Sequence, residues 1–191
     1  MSESAHATLS VALKEWAVVC RALETGRQIV LLRKGGILEA LSGFEIEHRR
    51  FLLFPTFLHQ NPQMLKPNER AGVNPPAEEP SRITLSSFAE VTDIIQLRDR
   101  QQMDAIDDQH IWSPALVDMR FNYRPNNPLY LLIVRTFVLP EPVSIDNTPA
   151  YAGCKSWVPL DGAIDITAAR SALDDETFRT RRDGIARELS S

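Results

Sequence analysis

Residues 129–139 read LYLLIVRTFVL, an apolar run of mostly branched and aromatic side chains interrupted only by Arg135 and Thr136. A run of this length and composition is typical of a buried strand. Pro140 and Pro142 follow it, and we predict that they end the strand because proline cannot donate a ladder hydrogen bond. A sheet is therefore expected at the centre of the fold.

Weaker signals on either side of this run predict the other elements. The predicted strands are residues 28–32, 51–54, 83–97 (bent or bulged) and 156–160. The predicted helices are residues 9–23, which Gly26 would end, a helix capped by Asp99, and one from Ala163 onward. Pro114 is predicted to open a short helix or an extended segment that ends near Phe121. Helices and strands do not alternate regularly, which favours an α+β fold with a mixed or antiparallel, barrel-like sheet and a helix at each end.

Length and composition favour one main domain. The chain has 191 residues, 43% hydrophobic and 24% charged, which is ordinary for a globular protein. We predict a single α+β domain over residues 1–162, with a proline-rich surface loop at 61–81, and a helical appendage over residues 163–191.

Charge and cysteine content limit the possible partners. The net charge of −4 argues against general polyanion binding, so any nucleic-acid contact must be a local patch, such as the basic and histidine-containing stretch 26–50. Two cysteines without metal-type spacing are typical of a reducing cytoplasm. No apolar run is long enough to span a bilayer, and we expect no membrane partner.

Arg33 and Lys34 are the first candidate site residues. They follow a predicted buried strand directly and precede Gly35 and Gly36, where the backbone can turn tightly. Fixed positive charge in such a place is suited to a phosphate or to the edge of a base. The alternative is that Arg33 pairs with a carboxylate such as that of Glu45 or Glu47, while Lys34 is solvated.

A second group of candidates lies around the predicted strand 51–54. His48 and Arg50 share one face of an extended chain and could bind an anion, or His48 could act as an acid–base group. Thr56 and His59 follow Pro55 and would share one side of a helical turn, with His59 as a possible general base. A solvated strand start and a histidine bonded to the backbone are the alternatives.

His110 and Trp112 complete the candidates. Trp112 could stack on a flipped or single-stranded base, and a core position is the alternative. The three histidines His48, His59 and His110 have no metal-type spacing, and we predict neither a metal nor a cofactor.

Five motifs in order resemble those of the bacterial family called domain of unknown function 1802. They are LKEW (13–16), LLRKGGI (31–37), FxLFPTxxHQ (51–60), HIW (110–112) and GCxSW (153–157). The resemblance spans roughly residues 9–160. Some members of that family occur beside restriction-endonuclease-like domains, which implies a link to restriction–modification.

The order of elements also resembles the start of ASCH domains in the PUA-like superfamily. The resemblance lies in a helix, a glycine and a strand ending in arginine, followed by the later strands at 88–91 and 129–139. PUA-like domains are small β-barrels that commonly bind RNA or modified DNA, and the same is implied here.

Two functions are compatible with these residues, and a protein-interaction subunit that uses loop 61–81 or the C-terminal helix is a third possibility. The first is a module that binds DNA or RNA through a local basic patch. The alternative is a hydrolase or nuclease that acts on a phosphate-containing substrate through a pocket of His, Arg and Glu side chains. The sequence leaves the oligomeric state and any catalytic residue open.

Overall fold

The computed structural model describes residues 7–34, 48–153 and 155–190. The strands are β1 (Thr8–Trp16), β2 (Val30–Lys34), β3 (Arg50–Thr56), β4 (Arg82–Leu97), β5 (Leu129–Asp146), β6 (Trp157–Asp165) and β7 (Arg170–Ser171). The α-helices are α1 (Ala17–Glu24), α2 (Gln101–Ala105), α3 (Pro114–Asn122) and α4 (Asp175–Ser190). None of these helices is long and apolar enough to cross a membrane.

The described strands form one mixed sheet in the order β2-β5-β4-β3-β1-β6, with β7 added on β5. β1 and β3 are parallel, and the other pairs are antiparallel. Register shifts in β4 between Leu85 and Ser87 and between Val91 and Asp93 confirm the bulged strand. The predicted α+β class with a mixed sheet is therefore confirmed.

The sheet curls strongly without closing into a barrel. β2 lies at one end of the strand order, with three strands between it and β1. The side chain of Arg33 on β2 nevertheless reaches the carbonyl of Lys14 on β1. Among the described residues no backbone pairing joins these two strands, so a side chain bridges the gap between them.

Apolar side chains fill both faces of the curled sheet. One face carries the larger core, which includes Leu13, Phe51 and Leu131, and the other carries a smaller cluster around Phe88. Phe178, Ile185 and Leu189 of α4 are buried in the larger core. The C-terminal helix thus shares the core of the main sheet, and the domain boundary at residue 162 stays a prediction.

The predicted N-terminal helix is wrong over its first half. Residues 8–16 form β1, and only residues 17–24 are helical. β1 lies between β3 and β6, so its backbone groups are paired on both sides, and this long-range pairing outweighs a helical spacing of apolar residues. Gly26 stands in the turn after α1 with a φ of 67°, which confirms its role in ending the helix.

Two further boundaries differ from the prediction. β5 continues through Pro140 and Pro142 to Asp146. Its register with β4 jumps from Val138 to Val143, so both prolines lie where β4 needs no donor from them. The helix expected from Ala163 begins only at Asp175, because β6 runs to Asp165 and β7 follows it.

Candidate anion-binding site

Arg33 is held inside the curled sheet. Its Nη2 donates to Glu15 Oε2 at 2.8 Å and to the carbonyl of Lys14 at 3.0 Å, and the two charged side chains are only 12% and 9% exposed. Burial lowers the pKa of the Arg33 guanidinium, and the nearby Arg120 lowers it further, while Glu15 opposes this change. The expectation that Arg33 is an open phosphate clamp is therefore corrected, because its charge is paired internally. Its partner is Glu15, whereas Glu45 and Glu47 lie outside the described residues.

Lys34 is bound to the end of α3. Its Nζ donates to the carbonyls of Arg120 at 3.0 Å and Phe121 at 2.6 Å. These carbonyls belong to the last turn of the helix, where the helix itself supplies no donors. Desolvation lowers the pKa of the Lys34 ammonium group. Lys34 thus fixes the position of α3 against β2.

Replacing Lys34 by methionine tests this role. We expect Lys34→Met to lower the free energy of unfolding by about 1–2 kcal/mol, because two helix carbonyls lose their donor. Urea unfolding measures the change. Lys155→Met, at an exposed position, is the matched control, and an equal effect of both substitutions would contradict the assignment.

His48 and Arg50 lie beside aromatic rings. The His48 ring meets the Trp157 ring edge-on, with centroids 5.0 Å apart. Arg50 lies 3.7 Å from Glu90 across the sheet, and its guanidinium lies 5.3 Å from the centroid of the Phe88 ring. Both candidates therefore already have partners within the protein.

Thr56 and His59 end up in different surroundings. The Thr56 hydroxyl donates to the carbonyl of Glu15 at 3.1 Å, which ties the ends of β1 and β3 together. His59 is exposed in the turn after β3. The expected helical turn after Pro55 is therefore wrong, because Thr56 belongs to β3 and His59 lies in the turn that follows it.

His110 and Trp112 are core residues. They are 1% and 3% exposed, with ring centroids 5.2 Å apart. The backbone of Trp112 forms an isolated bridge with Leu65. Because its ring is buried, Trp112 cannot stack on a base, which corrects the prediction of a stacking role. Within residues 7–34, 48–153 and 155–190, neither ring nitrogen of His110 has a hydrogen-bond partner. Burial lowers the His110 pKa to about 4, with help from Lys66.

The structure thus does not gather the three histidines. The His48 ring lies edge-on against Trp157, His59 is exposed, and His110 is buried in the core. Among the described residues no group of three or more His, Cys, Asp or Glu side chains could hold a metal ion.

A different set of cations meets at one end of the sheet. Lys34 and Leu97 both pair with Leu129, so the ends of β2 and β4 lie on either side of the start of β5. Arg98 follows β4, and the hydrogen bonds of Lys34 bring the end of α3 to the same place. We call the set formed by Lys34, Arg98, Arg120, Tyr123 and Arg124 the basic end.

The cations of the basic end have no carboxylate partner among the described residues. Arg120 Nε is buried and has no hydrogen-bond partner in the part of the chain that the structure describes, and Arg98 is exposed. Arg124 lies 5.2 Å from the centroid of the Tyr123 ring, which is 51% exposed. The nearby Asp118 is engaged elsewhere, with Arg100 at 2.7 Å. The local charge is therefore positive in a chain that is acidic overall.

A groove of about 490 Å³ opens at the basic end. It is lined by Lys34, Arg98, Phe121 and the turn that contains Asn126 and Asn127. Sequence reasoning found only Lys34 here. A signal was available, because residues 119–128 hold two arginines and a tyrosine and no carboxylate.

Comparison with known proteins identifies the family. The family model "Domain of unknown function (DUF1802)" matches residues 12–184. The chain belongs to this family, which confirms the resemblance stated from the sequence. The comparison with curated proteins gives no match.

Solved structures of an ASCH protein from Zymomonas mobilis are similar to this chain. The unsubstituted protein is 13% identical, with 91% of this chain and 93% of that chain covered and a TM-score of 0.43. A Tyr-to-Phe variant and a Ser-to-Ala variant of it are each 14% identical with the same TM-score, over 91% of this chain and 96% and 94% of theirs.

Proposed function

We propose that the protein binds single-stranded nucleic acid at the basic end. The observation that carries the proposal is that Lys34 and Arg98 line one groove, with Arg120 and Arg124 in the chain segment beside it. None of these four cations has a carboxylate partner among the described residues. Phosphate oxygens are suited to arginine, which can donate two parallel hydrogen bonds to them.

The exposed Tyr123 ring favours a single strand over a duplex. Bases of a single strand are free to stack on an aromatic side chain, and such stacking contributes about 1–3 kcal/mol per base. The amides of Asn126 and Asn127 in the adjoining groove can hydrogen-bond the edge of a base that is stacked there.

Salt dependence of binding is the first test. A labelled single strand of about 12 nucleotides, as RNA and as DNA, should bind more weakly as salt rises from about 50 to 200 mM, as measured by fluorescence anisotropy. Each phosphate contact contributes about −0.7 to the slope of log K against log salt. Replacing both Arg98 and Arg124 by alanine should therefore make the slope shallower by about 1.4 and weaken binding by about tenfold or more.

Arg170→Ala is the matched control. Arg170 is exposed on β7, far along β5 from Leu129, and its removal also takes away one positive charge. If Arg170→Ala weakened binding as much per charge removed, the binding would reflect only the attraction between net charges and not a specific site. Absence of binding to RNA and DNA at low salt would refute the proposal.

The alternative prediction is a hydrolase or nuclease. His48, His59 and His110 lie in different surroundings and do not support it as one pocket. The binding assay still distinguishes it, because a nuclease would shorten the labelled strand during incubation. The link to restriction–modification implied by the family resemblance stays a prediction.

A further inference from the structure

A second groove lies at the opposite end of β4. It has a volume of about 640 Å³, within the range of about 300–1,000 Å³ that is usual for small-molecule sites. Helix α1 and residues 71–74 form its sides, and the end of β3 with Phe57 forms its apolar base. Roughly 30 Å of strand separates it from the basic end, because Ser86 and Leu97 are far apart along β4.

Three side chains offer unused polar groups to this groove. Arg21 is exposed and has no ion pair among the described residues. Gln60 is held through its Oε1, which accepts from the Val18 N–H at 2.8 Å, so its amide NH₂ remains available as a donor. Glu24 lies one helical turn from Arg21 on the same side of α1.

A β-bulge fixes the Glu24 carboxylate in the groove. The register shift between Leu85 and Ser87 lets two successive serines, Ser86 and Ser87, reach the same oxygen. Their hydroxyls donate to Glu24 Oε1 at 2.6 and 2.8 Å. Glu24 Oε2 accepts no hydrogen bond within the described part of the chain. The carboxylate is thus held rigidly with one oxygen free to accept from a ligand.

We propose that this groove binds a hydroxylated organic phosphate of nucleoside-monophosphate size. Its phosphate would face Arg21, a hydroxyl would donate to Glu24 Oε2, and a flat ring would lie on the apolar base near Pro55 and Phe57. An acceptor on the ring, either a carbonyl oxygen or a ring nitrogen, would accept from the Gln60 amide. A nucleotide and a sugar phosphate share the phosphate and hydroxyl groups, and the ring distinguishes them.

Isothermal titration of the full chain with separate probes tests this site. The probes are adenosine and uridine monophosphate, adenosine, ribose 5-phosphate and inorganic phosphate, each up to about 5 mM. We expect saturable binding of a nucleoside monophosphate, weakened about tenfold or more by Arg21→Ala because the phosphate loses its cation. Arg170→Ala should leave the affinity unchanged, and Arg21→Ala should leave single-strand binding unchanged.

The outcomes separate this proposal from the function proposed above. If ribose 5-phosphate is bound as tightly as the monophosphates are, that result supports the site and shows that the ligand is recognised through its phosphate and hydroxyl groups alone. No saturable binding of any probe, or binding that Arg21→Ala leaves unchanged, overturns it. Because Arg98 and Arg124 lie at the other end of β4, their loss should not affect these titrations, so either proposal can fail alone.

Discussion

Glu15→Ala should lower the free energy of unfolding by about 3–5 kcal/mol, because it leaves the buried Arg33 charge without its partner. Glu15 Oε2 accepts from Arg33 at 2.8 Å, and its Oε1 accepts from the Trp16 N–H at 2.8 Å. Urea or guanidinium unfolding at neutral pH measures the change. The ion pair between Arg33 and Glu15 also holds β2 against β1. Its loss is therefore expected to lower the stability of the whole sheet.

Two further variants make this expectation specific. Glu90→Ala removes a half-buried carboxylate that lies 3.7 Å from Arg50, and it should cost less than about 1 kcal/mol. Replacing Arg33 by methionine in the Glu15→Ala background should recover part of the loss, because the unpaired charge is then gone. A cost of Glu15→Ala no larger than that of Glu90→Ala would contradict a buried ion pair.

Acid should destabilise the protein through His110 by about 3 kcal/mol between pH 6.5 and pH 4. Burial holds the His110 pKa at about 4 in the folded chain, whereas it is near 6.5 when unfolded. In this interval the unfolded chain binds a proton that the folded chain does not, so stability falls as the pH is lowered. The contribution is fully present above pH 6.5 and is lost by pH 4.

Unfolding by urea at several pH values checks this expectation. His110→Leu should make the free energy of unfolding depend less on pH between 6.5 and 4 than it does in the unsubstituted protein. The carboxylates contribute equally to both proteins and so do not affect this comparison. His59→Ala, at an exposed position, should leave the dependence unchanged. Equal pH profiles for His110→Leu and the unsubstituted chain would contradict a buried neutral imidazole.

Sequence patterns predicted those elements whose signal is local. The run 129–139 and the strand 83–97 both lie in strands, and β-branched and aromatic side chains recur along each of them. The stretch 8–16 could not be assigned in this way. Its apolar spacing fits a helix, and its strand conformation comes from β3 and β6, which follow much later in the chain.

Charged residues were harder to place because their partners are far away in sequence. The pattern after β2 indicated that Arg33 and Lys34 matter, and both do hold elements together. It could not show that Glu15 pairs with Arg33, nor that Lys34 binds carbonyls at residues 120 and 121. The cations of the basic end, which have no carboxylate partner among the described residues, could be identified only once these pairs were known.

The position of β1 has a consequence for how the chain folds during synthesis. β1 leaves the ribosome first, yet one of its two neighbouring strands, β6, ends at Asp165. The Ala7 N–H just before β1 donates to the Thr167 hydroxyl, 160 residues later. Contacts across so much chain are entropically costly and slow to form. The nascent chain must therefore keep one edge of β1 uncovered until β6 has been synthesised, and chaperones would meet it in that state.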